Sequence, residues 1–75
     1  MVKITGTRSY IIVEINGKTV KIPGEMIVGG FVAYKNAIIE WEEPFREPID
    51  EQTRAALISE VVNKTKDSSM VIEFL

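Results

Sequence analysis

The side chains best equipped for chemistry in this 75-residue chain are its carboxylates, and they are crowded. Glu40, Glu42, Glu43, Glu47, Asp50 and Glu51 fall close together, with Arg46 the only cation among them, a local balance of −5. Carboxylates in this arrangement can act as a general acid and base, ligate Ca²⁺ or Mg²⁺, or present a charged surface to a basic partner. Acid–base work needs a neighbour that lifts the pKa of one carboxyl, and nothing in the stretch supplies it. A chain of this size also has little volume for a substrate cleft. The cation reading lacks the EF-hand spacing, and no Gly is present to permit the tight loop. A solvated loop that only aids solubility and a partner-binding surface both remain open. The binding reading gains from Trp41 and Phe45, which interleave with the charges, because large rigid aromatics are the usual anchors of interfaces. Pro44 and Pro48 would hold the segment partly preorganised and lower the ordering cost of binding. The expected partner-facing set is Glu42, Glu43, Phe45, Glu47, Asp50 and Glu51. Strand parity groups Trp41 with Ile39 and Ala37 and turns its ring toward the core, leaving Phe45 as the exposed aromatic.

Other chemistries fall away by composition. With no Cys and no His there is no disulfide, thiolate or imidazole metal site, Cys nucleophile, Ser–His–Asp triad or His base. No metal and no cofactor is expected, and the chain does not read as an enzyme. Gly17-Lys18-Thr19 matches the tail of a phosphate-binding loop, but Ile12 stands where the motif needs its first Gly and a strand follows where it needs a helix. Asn63-Lys64-Thr65 spells a glycosylation acceptor, but it lies in a helical stretch of a chain with no secretory signal. Residues 1–39 carry Lys3, Arg8, Lys18, Lys21 and Lys35 against Glu14 and Glu25, a balance of +3, and residues 52–75 balance to zero. Those five cations fall on different strands with no aromatic stacking platform, and the net charge is −2, so nucleic acid is not an expected partner. No apolar run approaches the roughly 20 residues of a membrane span. Met1-Val2-Lys3-Ile4-Thr5 enters strand-like alternation at once, which predicts a cytoplasmic protein.

The elements that must position these groups read as α+β. Ile11, Val13 and Ile15 alternate with Tyr10, Ile12 and Glu14; Asn16-Gly17 follows, then Lys18-Thr19-Val20-Lys21-Ile22. Asn-Gly between β-branched runs predicts a type I′ hairpin, because both central residues of that turn need φ > 0. The register pairs Val13 with Val20 and Ile11 with Ile22 on an aliphatic face, and Glu14 with Thr19 and Ile12 with Lys21 on the other. Pro23-Gly24 predicts a turn. Gly29-Gly30 predicts either a tight hairpin or a bulge. Lys35-Asn36 predicts a reversal before a strand Ala37-Ile38-Ile39-Glu40-Trp41. The prolines predict an extended loop over 42–49. A helix is capped by Asp50, with Ala55, Leu57, Ile58, Val61 and Val62 as its buried stripe and Asp50/Arg54 and Glu60/Lys64 as i, i+4 pairs on its wet side. Met70 to Leu75 closes the chain as a strand. Val2–Thr5 is either a separate strand or continuous with residues 9–16. The whole is one domain over 1–75: an antiparallel meander of about five to six strands, a helix packed on one face and a C-terminal strand.

Pro23-Gly24-Glu25-Met26-Ile27-Val28-Gly29-Gly30-Phe31-Val32-Ala33 and Ile39-Glu40-Trp41-Glu42-Glu43-Pro44 together give the chain a family resemblance. It resembles the immunity protein 74 family of bacterial polymorphic-toxin and contact-dependent inhibition systems over nearly its whole length. The resemblance implies a cytoplasmic antitoxin, encoded beside a toxin, that binds the toxin domain and blocks it without catalysis. A nuclease-type toxin with a basic cleft would suit the acidic stretch, and the chain would be a monomer or weak homodimer. The alternative is a small protein-interaction module that assembles through an exposed strand edge.

Overall fold

The computed structural model describes residues 2–75. The predicted hairpin forms as written in its residues. Tyr10–Ile15 (β2) and Lys18–Ile27 (β3) are joined by Asn16 and Gly17, at φ 53° and 81°, and Val13↔Val20, Ile11↔Ile22, Glu14↔Thr19 and Ile12↔Lys21 all pair. Val2–Gly6 (β1) is a separate strand, antiparallel to β2.

Pro23-Gly24 is not a turn. The two residues lie inside β3, where the strand changes partners: Tyr10↔Pro23 is the last pair with β2, and Gly24↔Ala33 the first with Gly30–Ala33 (β4). Proline gives up only the bond to Tyr34 O at the end of the β4 ladder, and that carbonyl accepts from Ala37 N–H instead, while Gly24 N–H bonds to Ser9 O and Pro23 O accepts from Tyr34 N–H. A Cβ on Gly24 would stand 2.0 Å from the Val32 carbonyl oxygen, so the glycine serves a close backbone approach at the handover. Of the two readings of Gly29-Gly30 the tight hairpin is correct: Val28 and Gly29 form the loop between Ile27 and Gly30, with Gly29 at φ 79°.

The predicted reversal at Lys35-Asn36 and the strand Ala37–Trp41 both need correction. Lys35–Ala37 is one 3-10 turn, and only Glu40–Trp41 (β5) is strand. The chain does not turn back; it keeps running along β3. Ala33 lies opposite Gly24 and Glu43 opposite Thr19, and the surplus of chain between them is taken up by the 3-10 turn. That excursion drops Ile38 into the core and leaves Ile39 64% exposed, the reverse of strand parity. Trp41 is nonetheless buried. Within the predicted loop 42–49, Glu47–Pro48 (β6) pairs with β5 as a two-stranded ribbon.

Glu51–Thr65 (α1) starts where Asp50 predicts, with Thr53 N–H donating to Asp50 Oδ1 at 2.7 Å. Its buried stripe is narrower than predicted. Leu57, Val61 and Thr65 are buried and Ile58 is half-buried, whereas Ala55 and Val62 face solvent. The i, i+4 pairs do not form; Arg54 instead approaches Glu51 at 3.9 Å, because the Asp50 carboxylate is occupied as the cap. Val71–Phe74 (β7) follows and pairs parallel with β4, giving a main sheet of order β1-β2-β3-β4-β7. The helix lies against both edge strands, β1 and β7, so the curled sheet brings its two borders toward one helix. Val13, Val20, Ile22, Phe31, Ile38, Leu57 and Val61 fill the space between them.

Thr65 was not foreseen in the core. Its hydroxyl donates to Val61 O at 2.9 Å and accepts from Ile72 N–H at 3.2 Å. Val71 N–H bonds to Gly29 O and Leu75 N–H to Ala33 O, both on the β4 side, so Ile72 N–H points to the outer border, where Thr65 satisfies it.

Candidate functional site

The acidic stretch gathers at one end of the molecule, beside the β2–β3 turn and the helix N-terminus. Two anchors hold it. Glu42 N–H donates to Thr19 O at 2.7 Å and Thr19 N–H to Glu43 O at 3.0 Å, so β3 fixes the start of the loop. At its other end Ile49 is buried, its N–H bonds to Ile39 O, and Asp50 caps the helix. Between these anchors Phe45 stands 71% exposed. The peptide bond between Glu43 and Pro44 is cis.

The carboxylates do not act as one block. Lys18 Nζ lies 3.2 Å from Glu47 Oε2 and Arg46 3.2 Å from Glu40 Oε2, so two of the negative charges have cationic neighbours. These are solvent-facing pairs and contribute little to stability, but they lower the local field. Asp50 is committed to the cap. The Thr53 backbone N–H, and after it the Thr53 side chain, hold its carboxyl below the usual range. Glu51 extends into solvent near Arg54. Glu42 and Glu43 are the carboxylates left facing outward, with Glu43 touched only by the Thr19 hydroxyl at 3.4 Å.

Glu14, absent from the sequence-derived set, joins them: it lines the same shallow recess as Glu43 and Pro44. Its position opposite Thr19 was readable from the hairpin register, but the bridge from Thr19 to Glu43 was not. The carboxylates without an ion pair are therefore Glu14, Glu42 and Glu43 beside Phe45, with Lys21 and Arg46 lining the same recess as Glu42 and Glu43. Glu47, Asp50 and Glu51 sit at the same end but are partly neutralised or engaged. Among the described residues no group of three or more Asp or Glu side chains converges to hold a metal ion. No helix among them is long and apolar enough to cross a membrane.

A curled five-stranded sheet with one helix between its borders and a charged, two-anchor loop at one end defines a small α+β domain. The chain belongs to the Immunity protein 74 family, whose model matches residues 3–75. The family name supports an immunity-protein role and implies a toxin protein as partner. No curated protein and no solved structure matches the chain.

Proposed function

We propose that this chain is a non-catalytic antitoxin that neutralises the toxin domain encoded beside it in the cytoplasm of the producing cell. Its toxin-facing surface is the acidic loop, Glu42, Glu43, Phe45, Glu47, Asp50 and Glu51, extended by Glu14. The observation that carries the reading is the exposure of Phe45 on a loop tied down at Thr19 and at Asp50. An exposed phenyl ring is tolerated at no benefit to folding, and a fixed loop loses little freedom when it docks. The outward Glu42 and Glu43 would speed encounter with a basic cleft, as on a nuclease-type toxin. The partner is a polypeptide, with no nucleic acid bound directly, and the antitoxin itself is a monomer or weak homodimer.

The edge-pairing alternative is less favoured at β7, because Thr65 occupies an outward amide of that strand. The test is association of the toxin domain with a variant carrying Glu42→Lys, Glu43→Lys and Glu47→Lys. The variant should keep an unfolding midpoint close to that of the wild type, because Glu42 and Glu43 face solvent and the half-exposed Lys18–Glu47 pair contributes little. Its association should slow at least tenfold at low salt and lose most of its salt dependence. An affinity within about threefold, or about 0.7 kcal/mol, of the wild type refutes the acidic-loop reading.

A further inference from the structure

The opposite end of the molecule carries a second feature of different chemistry. β3 runs ten residues from the acidic loop, at Thr19, to the β3–β4 turn, at Val28. At about 3.3 Å per residue the two ends are roughly 30 Å apart. At the far end a groove of about 310 Å³ opens between β1 and the end of α1, lined by Ile4, Met26, Phe31, Met70 and Ile72 with Lys64 beside them. The apolar surface continues outward from the groove. Met26 and Ile27 are each 46% exposed, Met70 41%, and Val28 projects wholly into water at the turn. A two-residue turn is ordinarily polar, and a patch this apolar marks an interaction site.

The lining itself carries charge of one sign. Lys64 is the only ionised side chain in the lining, and it forms no ion pair among the described residues. Lys66 follows the helix and Arg8 follows Thr7 of the lining; Asp67 lies beside Lys66, and Glu60 one turn before Lys64 is not paired to it. The groove therefore favours an apolar group accompanied by a negative charge. Its continuity with the exposed turn suits an extended polypeptide better than an enclosed small ligand. Half-exposed Met26 and Met70 can repack around such a segment.

We propose that this groove receives a segment of the partner toxin in which an apolar side chain stands next to a carboxylate. The inference rests on the reading that the partner is a toxin polypeptide. It adds a contact of opposite charge preference to the acidic loop. A standard interface of about 800 Å² per partner is roughly 30 Å across, so one partner lying along the molecule can reach both ends.

Two measurements test it. In the first, the toxin domain is titrated with the full chain carrying Lys64→Glu and Met70→Gln, both at solvent-facing positions, and separately with the acidic-loop variant. The groove variant should bind at least tenfold more weakly while remaining folded, its urea midpoint lowered only slightly by the anion in the last helical turn. Binding within threefold of the wild type, while the acidic-loop variant is weakened, overturns this inference alone. Absence of any binding by the wild-type chain overturns the antitoxin reading and this inference together. In the second, methionine-methyl NMR follows the isolated protein with octanoate and with octylammonium as probes. Octanoate should shift the Met26 and Met70 methyls and octylammonium should shift them at least fivefold less at equal concentration. Equal responses, or none, overturn the assignment of an anionic, apolar occupant.

Discussion

Replacing Thr65 by Val separates two explanations of how the helix end holds the last strand. Thr65 is 7% exposed, and Val fills nearly the same volume, so the change removes a hydroxyl without opening a cavity. If apolar burial decided the outcome, the extra methyl would stabilise the protein by roughly 0.8 kcal/mol. The structure argues for the opposite sign. The Val61 carbonyl loses only an additional donor, but Ile72 N–H loses the acceptor that satisfies it at 3.2 Å on the outer border of β7. A buried N–H left without a partner costs about 1–3 kcal/mol. The net effect is a loss of up to about 2 kcal/mol, a large share of the roughly 4–11 kcal/mol total for a chain of this size. Thr65→Ser keeps the oxygen and gives up a methyl, so it loses roughly 1 kcal/mol by a different route. Urea unfolding followed by Trp41 fluorescence gives the stabilities, and amide exchange at Ile72 tells the routes apart. Ile72 should exchange faster in Thr65→Val and remain protected in Thr65→Ser. A Thr65→Val protein as stable as the wild type, with Ile72 still protected, refutes the reasoning.

Gly30→Ala would place a Cβ 2.3 Å from the Val71 carbonyl oxygen, a backbone atom that cannot move without shifting β7. It should cost about 1–3 kcal/mol in unfolding free energy, and an unchanged urea midpoint would show that the β4–β7 spacing is looser than described. Asp50 predicts a pH dependence of definite sign. Its carboxyl is held below the ordinary range in the folded protein, so its stabilisation is full above the unfolded value of about 3.9 and is lost as pH falls through the lower folded value. The stability gap between wild type and Asp50→Ala should therefore be widest near neutrality and close in acid. Asp50→Asn, whose amide oxygen caps without titrating, should match the wild type at neutral pH and exceed it in acid. Thermal melts from neutral pH into acid check both, and a gap that widens in acid contradicts the cap.

What could be read from the residues depended on whether one local rule decided the outcome. Asn16-Gly17 fixed the turn and, through it, the pairing of all the residues from Tyr10 to Pro23, because a two-residue loop leaves a single register. Asp50 announced the helix start for a similarly local reason. Pro23-Gly24 misled because the same dipeptide that makes a turn also suits a strand that changes neighbours, and only the distant β4 distinguishes the two. Trp41 reached the core as strand parity suggested, but through a different path: the 3-10 turn resets the alternation, burying Ile38 rather than Ile39. In the acidic loop the composition was plain, but the neutralisation of Glu47 by Lys18 and the arrival of Glu14 depend on contacts between segments far apart in the chain. Thr65 carried no signal at all, since a threonine near a helix end is usually wet.

The seat of Thr65 on the outer border of β7 also bears on how the protein behaves when abundant. Strands left open at a sheet's margin are templates on which further copies can stack into fibrils. Here a further copy adding at β7 would first have to displace the Thr65 hydroxyl from Ile72 N–H. Growth by addition at that margin therefore begins with the loss of a hydrogen bond the single molecule already makes.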